Sequence, residues 1–507
     1  MTAAALNRRA LLAASATLPF LRIPAVRAAT PGLLTFGLSS YPPTLQPWAN
    51  GGTASSTIKL MIHRGLTSFS RDGNPQPELA ESWSRDDEKT WVFKLRDARF
   101  HNGEKVTAAD VQWTFDQIAD EKSTAYFRAE MQRIAKVEAP DARTVRLVTK
   151  QPLVTVPNWL ANFHMPIVSR SSPKGSPIGA GPFVPKGQER GVSIDLERFD
   201  AYYKPGLPKL KAIRAIAYAD ENLRLAALRS GDVDLIEYVP WQAMDAIAGD
   251  PALKLDAVDG PFMYLVFNGS RPPFNDARVR RAVAHAIKRE ELVKAAFFGR
   301  GSPLEHLPIS ESSSFYNADF KNGWHYDPDL SKRLLAEAGH GGGLSCSLLS
   351  TAQYGMHKDS AEIVQQHLAA VGINATLNLP DWATRVNLGN RGQYEIGIMG
   401  NTAESNDPDG LAAVLDGSLA ASYVRSFGLK IDSIIELMEA GRTSFDEAKR
   451  RTIYRNLEQV AIDQAPIVGL TWRSQGYAMR KDVAGFSNFP GALTFYSGET
   501  FETTTTA

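Results

Sequence analysis

The sequence predicts an α/β fold, because strand and helix patterns alternate along most of the chain. Trp91, Phe93 and Leu95 alternate with polar residues, as in a strand with one buried face. After a turn, Thr107 is predicted to cap a helix, with Asp110 three positions later in its first turn. Similar strand and helix patterns continue to about residue 462, and such alternation favours sheets covered by helices.

The middle of the chain continues this alternation. Alternating apolar residues predict strands at 194–199 and 213–218, and a short apolar run predicts another at 233–236. Asp220 is predicted to cap the helix that precedes the last of these strands, and Gly231 is predicted to end that helix.

The later part of the chain is predicted to be rich in helices with one apolar face. These helices are predicted at 276–287, 331–338, 361–371, 432–440 and 446–462. Strands are predicted at 263–267, 344–349, 375–379 and 394–398. Pro and Gly crowd together at 171–183, and a second change of pattern falls at Gly260-Pro261, so segments of the fold are expected to change over at both places.

Length, charge and cysteine content narrow the class of protein. The 507 residues are enough for two or three domains with large cores. A formal charge of +1, without a block of like charge, gives no electrostatic reason to expect nucleic acid as a partner. Cys346 is the only cysteine, so no intrachain disulfide is possible, and its place in an alternating strand predicts a small buried side chain.

The first 28 residues are typical of an export signal. Arg8 and Arg9 precede an apolar run at 10–21 that is too short to span a bilayer, and residues 26–28 resemble a small-residue cleavage site. The arginine pair favours a twin-arginine signal, with the general secretory route as the alternative. Because no cysteine follows that could carry a lipid anchor, we expect a periplasmic protein.

The sequence contains none of the common catalytic motifs. There is no nucleophile elbow, P-loop, H-E-x-x-H sequence or dinucleotide-binding glycine motif, and the nine histidines are scattered. We therefore predict no catalytic residues, no metal site and no cofactor. An exported hydrolase remains an alternative of a different class, because catalytic triads are defined by geometry rather than by sequence order.

Several segments carry a closer resemblance. Residues 72–115 include P-x-LAESW, W-x-F-x-LR, FHNGE and TAADV, and later segments include PIGAGPF, ALRSGDVDLI and PPFNDARVRRAVAHAIKREELV. Together these motifs resemble the extracytoplasmic solute-binding proteins that serve peptide and nickel ABC importers. The resemblance covers roughly residues 33–500.

The resemblance implies a two-lobed periplasmic-binding-protein fold, type II-like and of cluster C, with an inserted domain and a hinged cleft. The implied boundaries are 30–60, 166–265 and 476–507 for lobe I, 61–165 for the inserted domain and 266–475 for lobe II. It also implies that a monomer captures a short peptide or peptide-like molecule in the cleft and delivers it to an inner-membrane ABC permease, without catalysis.

The resemblance also implies which residues contact the ligand. Gly400 and Thr402 correspond to positions that offer their backbone to an extended peptide, and Glu404 corresponds to the aspartate that binds the peptide's α-ammonium group. Trp382 corresponds to a tryptophan that lines a side-chain pocket. The stretch Asn50, Gly51, Gly52 and Thr53 corresponds to a second contact strand, which reaches the ligand from lobe I.

The chain departs from the peptide-binding pattern at several of these positions. Gly389 and Ile398 replace arginines that some relatives use for the ligand's carboxylate, and Asn401 replaces a tryptophan. Arg385 is a new cation near Trp382 and is a candidate partner for a ligand carboxylate. An opine-like amino-acid conjugate, a small glycoside or a nickel chelate therefore remain alternative ligands, although residues 401–409 contain no histidine to support nickel.

Overall fold

The computed structural model of the protein describes residues 31–311 and 313–506, and it has the α/β fold that the sequence predicts. The predicted export signal at 1–28 lies outside the described residues. The strands are β1 (Leu33–Leu38), β2 (Thr67–Phe69), β3 (Pro75–Pro77), β4 (Ala80–Arg85), β5 (Thr90–Leu95), β6 (Ile134–Asp141), β7 (Thr144–Thr149), β8 (Phe183–Glu189), β9 (Ser193–Arg198), β10 (Ala212–Ala217), β11 (Leu235–Glu237), β12 (Leu253–Phe267), β13 (Gly301–Pro303), β14 (Leu344–Leu349), β15 (Ile373–Asn378), β16 (Ile396–Asn401), β17 (Val468–Arg480), β18 (Val483–Ala484) and β19 (Thr505–Thr506).

The α-helices alternate with these strands. They are α1 (Gly52–Ile62), α2 (Ala108–Ala119), α3 (Arg128–Met131), α4 (Val156–Leu160), α5 (Glu221–Ser230), α6 (Met244–Ala248), α7 (Ala277–Ala286), α8 (Arg289–Ala296), α9 (Pro328–Glu337), α10 (Gly355–Ala369), α11 (Trp382–Asn390), α12 (Ala412–Leu415), α13 (Asp432–Thr443) and α14 (Glu447–Gln464). Short 3-10 helices lie at Trp241–Ala243, Ala318–Phe320, Pro408–Leu411 and Gly491–Glu502.

A mixed sheet of 11 strands runs through both lobes. Its order is β15-β14-β16-β12-β17-β11-β1-β10-β9-β8, and β13 pairs with β17. The two long strands β12 and β17 pair antiparallel from Leu253↔Arg480 to Leu265↔Val468. They lie between β11, which pairs with β17, and β16, which pairs with β12. The two lobes are therefore joined by one ladder of backbone hydrogen bonds.

This ladder is interrupted between the lobes. The register of β12 against β17 shifts between Asp259 and Phe262, and Gly260 and Pro261 occupy the gap. Proline has no N–H to donate, and a Cβ on Gly260 would lie 2.0 Å from the carbonyl oxygen of Gly491, so a larger residue does not fit there. The change of pattern that the sequence shows at these two residues is a break in the strand ladder.

The inserted segment has its own sheet and core. Strands β4, β5, β7 and β6 form a four-stranded sheet in that order, and α2 packs against it. Phe93, Leu95, Val111 and Phe115 belong to a hydrophobic cluster separate from the cores of the two lobes. Residues 61–165, which the resemblance implies to be an inserted domain, thus hold a packed unit of their own.

The predicted helix caps are confirmed where a side chain reaches back to the first turn. The carboxylate of Asp110 accepts hydrogen bonds from the backbone N–H of Thr107 at 3.0 Å and from its hydroxyl at 2.6 Å. Asp220 accepts from two backbone N–H groups of α5, Gly231 ends that helix in the left-handed conformation, and Asp276 caps α7. These caps satisfy donors that a helix start leaves unpaired.

Two helices begin earlier than predicted. Helix α9 begins at Pro328 rather than Ser331, because the carboxylate of Asp327 accepts from the backbone N–H of Leu330 at 2.8 Å and proline suits the first helical position. Helix α10 begins at Gly355 rather than near residue 361, without a side-chain cap. Cys346 is buried in β14, as predicted.

Two buried and two partly buried charged side chains tie the start of the inserted segment to residues distant in the sequence. Arg64 forms ion pairs with Glu78 at 3.2 Å and with Glu502 at 2.8 Å. Lys204 contacts the same two carboxylates at 3.0 and 2.9 Å. Each charge is matched inside the cluster, so removal of one member leaves a buried charge without its partner.

We predict that Glu78→Gln lowers the free energy of unfolding by about 3–5 kcal/mol, because it leaves Arg64 and Lys204 with one carboxylate between them. Urea denaturation measures this change. The control is Glu81→Gln on strand β4, where the glutamate pairs with Arg143 at the surface and a change of about 0.5 kcal/mol or less is expected. Equal urea midpoints for the two variants would contradict the prediction.

Candidate functional site

A cavity of about 540 Å³ lies between the two lobes. From lobe I it is lined by the starts of helices α1 and α5, and from lobe II by the starts of α10 and α11 and the end of strand β16. The backbone N–H groups of a helix start carry partial positive charge. Asp220 and Asp381 already cap α5 and α11 with carboxylates, so only the starts of α1 and α10, which have no acid in their first turns, favour negative charge on a ligand.

The predicted contact strand at Asn50–Thr53 is wrong in its secondary structure, although all four residues line the cavity. Helix α1 begins at Gly52 with Gly51 as its N-cap, and the side-chain oxygen of Asn50 accepts from the N–H of Gly52 at 3.1 Å. Gly52 has a φ of +77°, which favours glycine, and so the chain can turn into the helix at this point. The lobe I wall is a helix start rather than a strand.

The end of β16 forms the opposite wall, where Gly400, Asn401 and Thr402 line the cavity. Strand β14 pairs with β16 only as far as Gly397, so beyond this point that edge of β16 has no partner strand among the described residues. A Cβ on Gly400 would lie 2.8 Å from the sulfur of Met263. The side chain of Asn401 accepts from the N–H of Thr402 at 2.9 Å. An extended ligand can pair its main chain with such an edge.

Glu404 lies just beyond this strand with its carboxylate held by neutral donors. The hydroxyl of Tyr126 donates to one carboxylate oxygen at 2.7 Å, and the side-chain amide of Asn162 donates to the other at 2.6 Å. No described residue forms an ion pair with it. Burial raises the pKa of Glu404, and the two hydrogen bonds offset part of this shift. The site thus holds a desolvated carboxylate that a cationic ligand group would stabilise.

Arg473 on strand β17 supplies the opposite charge. It lines the cavity but is only 1% exposed, and its guanidinium donates to the side chain of Gln475 at 2.6 Å. The ring centroids of Tyr238 and Trp241 lie 5.8 and 5.7 Å from its guanidinium carbon. No carboxylate among the described residues pairs with it, its Nε has no hydrogen-bond partner, and burial lowers its pKa.

The sequence interpretation did not single out Arg473, Tyr126 or Asn162. Only Arg473 left a signal, because a charged residue within the buried stretch of β17 departs from the pattern around it. Tyr126 and Asn162 come from the inserted segment. Although both contact Glu404, they are separated from it in the sequence by 278 and 242 positions. No local pattern encodes such a contact.

Trp382 lines the cavity at the start of α11, inside a group of aromatic rings. The rings of Tyr354, His357 and Tyr423 lie 5.6, 5.5 and 5.9 Å from its indole. The contacts with Tyr354 and Tyr423 are edge-to-face and fix the orientation of the indole, which remains half-buried at the cavity wall. Trp382 can therefore present a flat apolar surface to a ligand.

Arg385 lies behind this aromatic group and does not line the cavity. Its guanidinium donates to the carbonyl oxygen of Ile398 at 2.6 Å and lies 5.6 Å from the ring of Trp382. Burial lowers its pKa. In this position Arg385 supports β16 and Trp382 from behind, so the carboxylate contact predicted for it would require a rearrangement of the wall.

The protein was compared with known families and sequences. The sequence model of the family described as bacterial extracellular solute-binding proteins, family 5 Middle, matches residues 74–422. The glutathione-binding protein GsiB of Escherichia coli (strain K12) is 28% identical over 470 residues, which are 88% of this chain and 90% of GsiB.

The fold also matches solved structures. The protein AgaA from A. tumefaciens R10, in complex with agropinic acid, is 39% identical with a TM-score of 0.89, over 94% of this chain and 99% of AgaA. The fold alone is shared with DppA from Helicobacter pylori, solved with the peptide STSA, at 21% identity and a TM-score of 0.84, over 94% of this chain and 98% of DppA. None of the helices in 31–311 and 313–506 is long and apolar enough to cross a membrane.

We predict that Glu404→Gln stabilises the unliganded protein at pH 8 and that this gain disappears as the pH falls toward 4.5. The pKa of Glu404 is raised in the folded state. At pH values above the ordinary pKa of glutamate, the folded protein therefore binds more protons than the unfolded chain, and the wild type loses stability as the pH rises. Urea denaturation of both proteins across this range measures the difference. A difference that stays constant with pH would contradict the prediction.

Proposed function

Because the chain belongs to the bacterial extracellular solute-binding proteins of family 5, we propose that it captures a small carboxylate-bearing solute in its cleft. The protein acts in the periplasm as a monomer and delivers the solute, chemically unchanged, to an inner-membrane ABC permease. The observation that carries the choice of ligand is Arg473, a buried cation on the cleft wall without an ionic partner.

A ligand carboxylate satisfies the requirements of this wall. A desolvated guanidinium is costly unless an anion pairs with it, and a carboxylate can accept two of its N–H groups at once. The starts of α1 and α10, which have no acid in their first turns, add partial positive charge at the same cavity. A neutral sugar would leave Arg473 unpaired, so an acid is the better ligand.

Glu404 sets the second requirement. Its carboxylate accepts only from Tyr126 and Asn162, which are neutral, so an amine or hydroxyl of the ligand gains a charge-assisted hydrogen bond there. The solute therefore carries a carboxylate for Arg473 and a donor group for Glu404. Amino acids, peptides and their conjugates combine these groups.

Within this class, an opine-like amino-acid conjugate is the first candidate. AgaA, which is 39% identical over nearly the full chain, was solved with agropinic acid. The replacement of peptide-pattern residues by Gly389, Ile398 and Asn401 supports the same choice. A short peptide is the second candidate, because the relative GsiB is a glutathione-binding protein.

Ligand capture requires that the lobes separate and close, and we place the hinge at the break in the β12–β17 ladder, residues 260–261. We propose that lobe I comprises residues 30–60, 166–265 and 476–507, that the inserted domain comprises 61–165, and that lobe II comprises 266–475.

In the present conformation the inserted domain meets lobe II directly. Arg133 donates to both carboxylate oxygens of Glu439 at 2.8 Å, and the indole of Trp159 donates to Asp409 at 3.1 Å. We propose that these contacts stabilise a closed cleft.

We predict that Arg473→Gln weakens binding of an acidic solute at least roughly 30-fold, which corresponds to about 2 kcal/mol or more for loss of a buried charged partner. Isothermal titration with agropinic acid and glutathione measures Kd, and mass spectrometry of the recovered solute tests that it is unchanged. Arg480→Gln, on the same strand but outside the cavity lining, is the matched control.

The outcomes of this titration separate the candidates. Binding of agropinic acid alone supports the opine, and binding of glutathione alone supports the peptide. Equal affinity of the Arg473→Gln variant and the wild type for the bound acid would contradict the assignment of Arg473. A chemically altered solute would support the exported hydrolase instead.

A further inference from the structure

The backbone is strained at Tyr238, the residue that follows strand β11 and lines the cleft. Its φ is +51°, in the left-handed region that a bulky side chain rarely adopts. Among the described residues, Phe298 and Ala465 are the only other non-glycine residues with positive φ, and neither lines the cleft. A residue keeps such a conformation only where the surrounding structure enforces it, so the side chain of Tyr238 is a candidate for a role in the site.

Arg224 enforces this conformation. Its guanidinium donates to the carbonyl oxygens of Glu237 and Tyr238 at 2.9 and 2.8 Å, and to that of Tyr218 at 2.6 Å. The side chain of Arg224 is only 2% exposed. Because these hydrogen bonds reach the backbone of Tyr238 and of the residue before it, they restrain the turn at this point.

The turn places the Tyr238 side chain between helix α1 and strand β17. Its hydroxyl oxygen lies 3.0 Å from the hydroxyl oxygen of Thr53, in the first turn of α1. Its ring centroid lies 5.8 Å from the guanidinium carbon of Arg473. Burial lowers the pKa of Arg473, and a side-chain hydrogen bond with Tyr238 opposes this shift. The phenol therefore lies beside the unpaired cation of the cleft.

Three groups that favour an anion meet at this point of the cleft wall. Arg473 has no carboxylate partner among residues 31–311 and 313–506, and its Nε forms no hydrogen bond there. The first turn of α1 contains no acid, so its N–H groups carry uncompensated partial positive charge. The hydroxyl of Tyr238 can accept from Thr53 and still donate to an anion, because either hydroxyl of that pair can be the donor.

We propose that Tyr238 is a specificity-determining residue, whose hydroxyl donates to the ligand carboxylate that pairs with Arg473. Arg224 is then a positioning residue, because it acts on the ligand through the backbone of Tyr238. The inference rests on the proposed function, since it requires a carboxylate at Arg473. It adds a directional neutral donor to the charged one, so that the site selects a carboxylate by geometry as well as by charge.

The test compares Tyr238→Phe with the wild type by isothermal titration, with agropinic acid and glutathione as probes. Phenylalanine keeps the ring and loses only the hydroxyl. Loss of one hydrogen bond to a charged group is expected to weaken binding of the acid about 10-fold or more. Tyr326→Phe, at an exposed tyrosine outside the cavity lining, is the matched control and keeps wild-type affinity. Unchanged affinity in Tyr238→Phe would overturn the inference.

A glycine at the same position separates the side chain from the backbone. Glycine adopts positive φ without steric cost, so Tyr238→Gly is expected to fold, as a urea transition verifies. It is expected to lose at least as much affinity for the acid as Tyr238→Phe, because the hydroxyl and the ring are both absent. Wild-type affinity in this variant would show that the side chain takes no part in binding, and the inference would fail.

The double variant of Tyr238→Phe and Arg473→Gln tests whether both side chains act on one carboxylate. If they do, removal of the hydroxyl weakens binding less than about 3-fold once Arg473 is replaced, because the two effects are coupled. Equal losses in both backgrounds would overturn the inference. Weaker binding in Arg473→Gln with none in Tyr238→Phe would overturn it while the proposed function stands, and absence of acid binding to the wild type would overturn both.

Discussion

The antiparallel pairing of β12 with β17 is the constraint on which the rest of the structure depends. The rest of the large sheet attaches to this pair through β11 on one side and β16 on the other, and β13 pairs directly with β17. Arg473 lies on β17 and Gly400 pairs with Met263 on β12, so this pair of strands positions two residues that line the cleft. The proposed hinge at residues 260–261 coincides with a break in this ladder, and irregularities of this kind bend a strand locally.

The buried charges of the cleft lower the stability of the unliganded protein and favour the binding of a ligand. Arg473 and Glu404 are both desolvated, and neither has an ionic partner within the described part of the chain. In contrast, Arg64, Glu78, Lys204 and Glu502 neutralise one another. The fold is therefore able to satisfy buried charges, and at the cleft it leaves two of opposite sign for a ligand to complete.

Local features of the fold were predictable from the sequence, and long-range contacts were not. The caps at Thr107, Asp220 and Asp276 rest on side chains within a few residues of the groups they bind, so their patterns are visible in the chain. The lobe I wall was predicted as a strand because the resemblance gives the position of a contact but not its backbone conformation. Arg385 and Arg473 show the same limit, since only the packed structure decides which arginine reaches the cavity.

The 3-10 segment Gly491–Glu502 connects three parts of the molecule that lie far apart in sequence. Gly491 abuts Gly260, Tyr496 donates to the backbone of Glu404 at 3.2 Å, and Glu502 belongs to the ion cluster of Arg64, Glu78 and Lys204. These residues leave the ribosome after residues 266–475, proposed as lobe II, and after the first two segments proposed for lobe I. A nascent chain therefore cannot form the complete cleft, or retain a solute in it, before this segment has been synthesised.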